Sequence, residues 1–232
     1  MKIKLFVFDM AGTTVDDAGD SVAVCLAAAL ANAGVVVSHA QIDPVMGIPK
    51  PMAIRELLTL VRGGEPSDGE VNIIHEDFRA RMVAHYRSDP SVNQVPGADE
   101  VFATLKRSGV RVALDTGFDR EIVRVILSRL GWDGVVDDWV ASDEVARGRP
   151  WPDMIHELMK RAGITDAAQV AKVGDSVSDI EEGLNAKCGW VGAIRNVRTR
   201  DELHRFPGVH AMDSIREIPA ALGLSRAAGS PS

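Results

Sequence analysis

Asp9 closes the apolar run 3–8 and is followed by Ala11, Gly12, Thr13 and Thr14. An acid at the end of a buried parallel strand lies where open α/β sheets place their ligands. Small residues behind it let backbone N–H groups close on an anion. The stretch reads as a nucleophile or a metal ligand on a phosphate-gripping turn, against the plainer alternative of an Asp that caps the next helix. Three later segments add to it: Thr116-Gly117, Arg149 within RGRP, and Asp175 within GDS. Together these residue types suit phosphoryl transfer. Asp9 can attack phosphorus in line and form an aspartyl-phosphate. Asp175 can join Asp9 in holding Mg²⁺, a hard cation that takes oxygen ligands, which offsets the repulsion between nucleophile and phosphoryl group. Thr116 supplies a hydroxyl, the turn after it supplies N–H groups, and Arg149 adds a fixed charge with directed donors. Asp179, one helical turn beyond Asp175, can orient the metal's water or ligands from behind.

Residues so far apart meet only if the chain folds back on itself repeatedly, and the apolar patterning says that it does. Strands are predicted at 3–8, 110–114, 135–140, 170–173 and 190–194. Helices are predicted at 98–108, 119–130, 152–162, 177–186, 201–205 and 215–222. The alternation implies an α/β fold, a doubly wound parallel sheet, with right-handed crossovers bringing the strand ends to one edge. Between the first strand and residue 90 the pattern is helical only. Asp20 is a plausible N-cap for a helix at 21–33, closed by Gly34. The stretch 43–51 reads as a loop carrying Lys50 between Pro49 and Pro51, followed by helices at 52–61 and 67–88. The expected organisation is a core of residues 1–16 and 91–224, an inserted all-helical cap at 17–90, and a loose tail at 225–232.

FDMAGTTVD, LDTGF, GRPWPDM and KVGDSVSD, in that order, resemble the four motifs of the haloacid dehalogenase superfamily, and the helical insertion resembles its cap. The resemblance covers about residues 3–195. It implies a Mg²⁺-dependent hydrolase of a small phosphonate or phosphate. Asp9 would be the nucleophile, with Asp9, the Ala11 carbonyl and Asp175 around the metal. The turn through Ala11 and Gly12, with Thr116, Gly117 and Arg149, would hold the phosphoryl group. Phosphatases of the superfamily usually carry an acid two residues after the nucleophile, where this chain has Ala11, and Lys before the proline of the third motif, where it has Arg149. Both features are similar to the phosphonatase branch, which cleaves a carbon–phosphorus bond through an imine between a cap lysine and the substrate aldehyde. MGIPKPMAIR resembles the cap stretch around that lysine, which implies Lys50 for the role with Met46 and Gly47 ahead of it; a solvated loop lysine is the alternative. Two positions depart from that branch: Ala53 stands for a His and Phe118 for a Tyr. Rival readings are a phosphomonoesterase of phosphoglycolate-phosphatase type without the usual acid, and a non-catalytic phosphate-binding protein.

Bulk properties agree with a small-molecule enzyme. The 232 residues are 46% hydrophobic and carry a net charge of -7, which argues against nucleic-acid or membrane binding. Cys25 and Cys188 lack metal-ligand spacing and read as reduced bystanders in a cytoplasmic protein. The N-terminus enters a strand directly, so no signal peptide is expected. The apolar face of helix 21–33 serves either a homodimer through the cap or the internal core. Asp16, Asp17 and Asp115 read as structural, Trp151 and Trp190 as packing, and the six histidines as surface or helix positions.

Overall fold

A computed structural model of the chain describes residues 2–17, 19–196 and 199–224; the tail expected at 225–232 lies outside the described residues. In chain order the elements are β1 (Leu5–Asp9), α1 (Ser21–Asn32), α2 (His39–Ile42), α3 (Lys50–Arg62), α4 (Asp68–Ser88), α5 (Ala98–Arg107), β2 (Arg111–Thr116), α6 (Arg120–Leu130), β3 (Asp138–Ala141), α7 (Asp153–Ala162), β4 (Val170–Gly174), α8 (Val177–Asn185), β5 (Trp190–Ile194), β6 (His210–Met212) and α9 (Ile218–Ala221). The strands form one parallel sheet in the order β3-β2-β1-β4-β5-β6.

β1 is central because it is apolar on both faces. Phe6 and Phe8 enter the core shared with the cap, α5 and α6, while Leu5 and Val7 enter a second core built on α7. This period of two is what a strand buried on both sides requires. The register sets Asp9 opposite Asp115 and Phe8 opposite Val173. Asp9 therefore emerges beside the end of β4, at the crevice where strand order reverses. The chain leaves for the helical cap and returns along paired linkers: Val95 N–H donates to Thr14 O at 2.8 Å and Asp16 N–H to Asn93 O at 2.9 Å.

Several expectations shift. Lys50 is the first residue of α3 rather than part of a loop. Pro49 precedes the helix and Pro51 lies in its first turn, where a missing N–H leaves no bond unmade. Asp20 makes no capping bond; Asp17 Oδ1 accepts from Ser21 N–H at 2.8 Å instead. The third strand begins at Asp138, later than 135, and β6 was not foreseen. The apolar stripe of α1 (Val22, Leu26, Leu30) is buried in the main core, against α4. Among the described residues no helix is long and apolar enough to cross a membrane.

Candidate active site

The ends of β1, β2 and β4 and one loop of the cap line a small pocket of about 30 Å³, above the minimum that holds a water molecule. Asp9, Ala11, Thr116, Gly117, Arg149 and Asp175 line it from the core, Met46, Gly47 and Lys50 from the cap. The structure thus brings these residues, each singled out in the sequence, to one cavity; Gly12, also singled out, does not line it. Asp179 stands behind it.

Beneath the pocket lies a buried cluster of charges. Arg149 is 1% exposed. Its Nη1 lies 2.7 Å from Asp9 Oδ1 and 2.9 Å from Asp179 Oδ1. Its Nη2 donates to Asp115 O at 2.9 Å and to Asp115 Oδ1, and its Nε to Glu182 Oε2 at 3.1 Å. Lys172 Nζ, fully buried, contacts Asp115, lies 3.0 Å from Asp179 and 3.2 Å from Glu182. Asp115, expected only to be structural, is therefore part of the charged floor of the site. Lys172 and Glu182 escaped the sequence reading. Their signals were a lysine inside the apolar strand VAKVG and an acid one turn after Asp179. A charge in a central strand stays ionised only with partners.

Four carboxyl groups share two cations, so protons must distribute unequally. Burial and the neighbouring Asp115 charge push Glu182 well above the usual carboxylate range, whereas Arg149 and Lys172 hold Asp115 below it despite its burial. Asp9 is raised to about 6, chiefly by burial and against the attraction of Arg149. Arg149 and Lys172 stand among Asp9, Asp115, Asp179 and Glu182, so an ionised Asp9 adds charge to a cluster richer in acids than in cations.

That surplus bears on metal binding. Asp9, Asp115 and Asp179 offer oxygens within 4.8 Å of one another, but Arg149 and Lys172 already lie against these groups. The pocket side is more open to an ion. Asp175 is 6% exposed, and its Oδ2 accepts from Asn196 Nδ2 at 2.8 Å while Oδ1 accepts from Thr13 Oγ1 at 3.4 Å. Gly12 has φ +88°, and a Cβ there would collide with the Asp175 carboxylate. The absent side chain lets the turn after Asp9 approach Asp175, and Asp9, Ala11 and Asp175 all line the pocket; oxygen donors are what a hard divalent cation takes.

The cap closes over this floor at close range. A Cβ on Gly117 would lie 2.8 Å from Ile48 O, and Ser178 Oγ donates to Met46 O at 3.5 Å. Lys50 is 3% exposed. Its Nζ donates to Ile48 O at 3.2 Å and lies 5.8 Å from the centre of the Phe118 ring. Burial and the Arg149 charge lower its pKa to about 8, so a substantial neutral fraction exists near neutrality. Arg147, the neighbour that sequence spacing confuses with Arg149, pairs instead with Asp153 at 2.9 Å and packs over Trp151.

Comparison with known proteins bears on the same elements. The family model for haloacid dehalogenase-like hydrolases matches residues 3–187. A phosphonoacetaldehyde hydrolase from Bacteroides fragilis is 30% identical, over 94% of this chain and 87% of that protein. One from Bacillus cereus is 29% identical, over 84% and 76%. The crystal structure of a phosphonoacetaldehyde hydrolase-like protein from Oleispira antarctica superimposes with a TM-score of 0.81 at 20% identity, covering 96% of this chain and 92% of that one. With the sheet order, the helical insertion after β1 and the acids at the strand ends, these matches establish that the chain belongs to the haloacid dehalogenase-like hydrolases.

Proposed function

We propose that this hydrolase cleaves the carbon–phosphorus bond of a small phosphonate bearing a carbonyl group, in the manner of phosphonoacetaldehyde hydrolase. The observation that carries the reading is Lys50: a lysine 3% exposed, in a cavity shared with Asp9, with its pKa lowered to about 8. A solvated surface lysine has no such surroundings. A desolvated amine beside another cation is an activated nucleophile.

In this reading Lys50 condenses with the substrate carbonyl, and the resulting iminium accepts the electron pair released when carbon and phosphorus part. Asp9 attacks phosphorus on the side opposite the departing carbon and becomes an aspartyl-phosphate, which water hydrolyses. Thr116, Gly117 and the turn through Ala11 and Gly12 would hold the transferring oxygens, with Arg149, held to Asp9 through Nη1, adding its charge from the floor and Met46 alongside the organic group. Carbon leaves without protonation of an ester oxygen, so Ala11 in place of an acid is no defect. Mg²⁺ held by Asp9, Asp175 and the Ala11 carbonyl would neutralise phosphoryl charge, with Asp179 behind them. The cap loop around Met46–Gly47 lines the pocket and so bounds the way in. The two cysteines are free, which suits the cytoplasm.

The test is borohydride reduction in the presence of phosphonoacetaldehyde, followed by mass spectrometry of the Lys50 peptide. A reduced adduct on Lys50, absent in Lys50→Arg, is expected. Turnover of aryl phosphates without any adduct would instead favour a phosphomonoesterase.

A further inference from the structure

If Lys50 forms an imine, something must carry protons between its nitrogen and the carbonyl oxygen. The residues closest in sequence and space do not. Ala53, one turn along α3, is apolar, Phe118 has no hydroxyl, and Ala11 has no acid. Asp9 and Asp175 belong to the phosphoryl end. One further acid lines the cavity: Asp17, on the linker between the Asp9 turn and α1. Ser21 holds its Oδ1 through the backbone N–H at 2.8 Å and through Oγ, so the carboxylate has a fixed orientation. Nearby, Tyr86, the only tyrosine in the chain, is 1% exposed, and its hydroxyl finds no hydrogen-bond partner among the described residues. Its ring packs edge-on against Phe118 at 5.9 Å, and the charges of Asp17 and Asp9 help burial to hold the phenol protonated. Tyr86 does not line the cavity; it packs behind Phe118, which does.

We propose that Asp17 is the acid–base catalyst of imine formation at Lys50. This rests on the imine reading above. The proton count closes without any co-reactant. The Lys50 ammonium carries three protons and the iminium one. Asp17 takes the first, freeing the lone pair that forms the nitrogen–carbon bond, while the carbonyl π electrons move to oxygen. Asp17 delivers that proton to the oxygen. It then takes a second from nitrogen and delivers it to the hydroxyl, which leaves as water while the nitrogen lone pair completes the carbon–nitrogen double bond. Imine hydrolysis after phosphoryl transfer runs the same exchange backwards. Ionisable groups that feel the Asp17 charge include Cys25 on α1, Lys50 on α3 and Tyr86 on α4, and Asp9 lines the same cavity.

The experiment is rapid-quench borohydride trapping on the full chain with phosphonoacetaldehyde, comparing wild type, Asp17→Asn and Asp17→Glu across the pH range of activity. Asn still accepts from Ser21, so the N-terminus of α1 is preserved. Trapping in Asp17→Asn is expected to slow about 10²-fold or more and to lose one ionisation from its pH profile, with Asp17→Glu recovering much of the rate. Three results overturn the proposal: Asp17→Asn trapping at the wild-type rate, both variants slowed equally with an unchanged pH profile, or no wild-type adduct at all. Only the last also removes the imine reading; the first two leave it standing.

Discussion

Replacing Asp9 with Asn should destroy activity and make the protein more stable. Burial raises Asp9 from 3.8 to about 6 even with Arg149 at 2.7 Å. The shift is about 2 pKa units, and at ~1.36 kcal/mol per unit the ionised group costs the native state about 3 kcal/mol. The sign follows from proton counting. Between about pH 4 and 6 the native state keeps a proton that the unfolded state releases, so wild-type stability falls as pH rises. Below that window both states are protonated and the penalty vanishes; above it the penalty is complete. Asn resembles the neutral acid and never incurs it. Denaturant melts in metal-free buffer should therefore show Asp9→Asn gaining little at about pH 4 and about 3 kcal/mol at about pH 8, with the rise centred between the two pKa values. Added Mg²⁺ should narrow the gap by stabilising wild type alone. A variant less stable than wild type at high pH would refute the surplus-charge account, because it would mean that the pairing with Arg149 outweighs desolvation.

Three further outcomes follow from the same geometry. Turnover of a carbonyl phosphonate needs Lys50 neutral, so kcat/KM should climb with pH through about 8; a rate that declines as pH approaches that value contradicts the assignment. Lys172→Met strips one of two cations from buried Asp115 and Asp179 and should lower unfolding free energy by about 3–5 kcal/mol, read by urea melts, whereas a loss under ~1 kcal/mol would mean the cluster relaxes or takes up protons freely. Gly12→Ala forces a Cβ onto the Asp175 carboxylate at φ +88° and should weaken Mg²⁺ binding about 10- to 100-fold; unchanged affinity by calorimetry would move the metal away from Asp175.

What could be read in the sequence divides by how locally each feature is encoded. β1 and β4 announced themselves because a strand buried on both faces must be apolar at every position but those with a partner inside, and Asp9 and Asp175 were found because they stand where such runs stop. β6 is only three residues, His210–Met212, at the sheet edge, with its first residue exposed, so burial left no pattern to read. Asp137 shortened the third strand in a way periodicity does not encode: its carboxylate and its N–H both bond to Val112, each at 2.8 Å, and pairing as a strand starts only at Asp138. The prolines beside Lys50 suggested a loop because proline breaks helices, yet at a first turn it breaks nothing, and the helix start is what turns Lys50 into the pocket. Lys172 and Glu182 are the instructive omissions. Each looks like ordinary polarity until the sheet and α8 set them against Asp115. Their role is arithmetic rather than contact with any reactant. Two cations stand among four acids, and burial with the neighbouring Asp115 charge pushes Glu182 toward its protonated form. Of the four, Asp9 is the one at the pocket wall. A nucleophile must hold its electron pair available, and an aspartate fully satisfied by fixed cations would not. A surplus negative charge at Asp9 keeps that pair in reserve and gives a divalent cation its reason to bind.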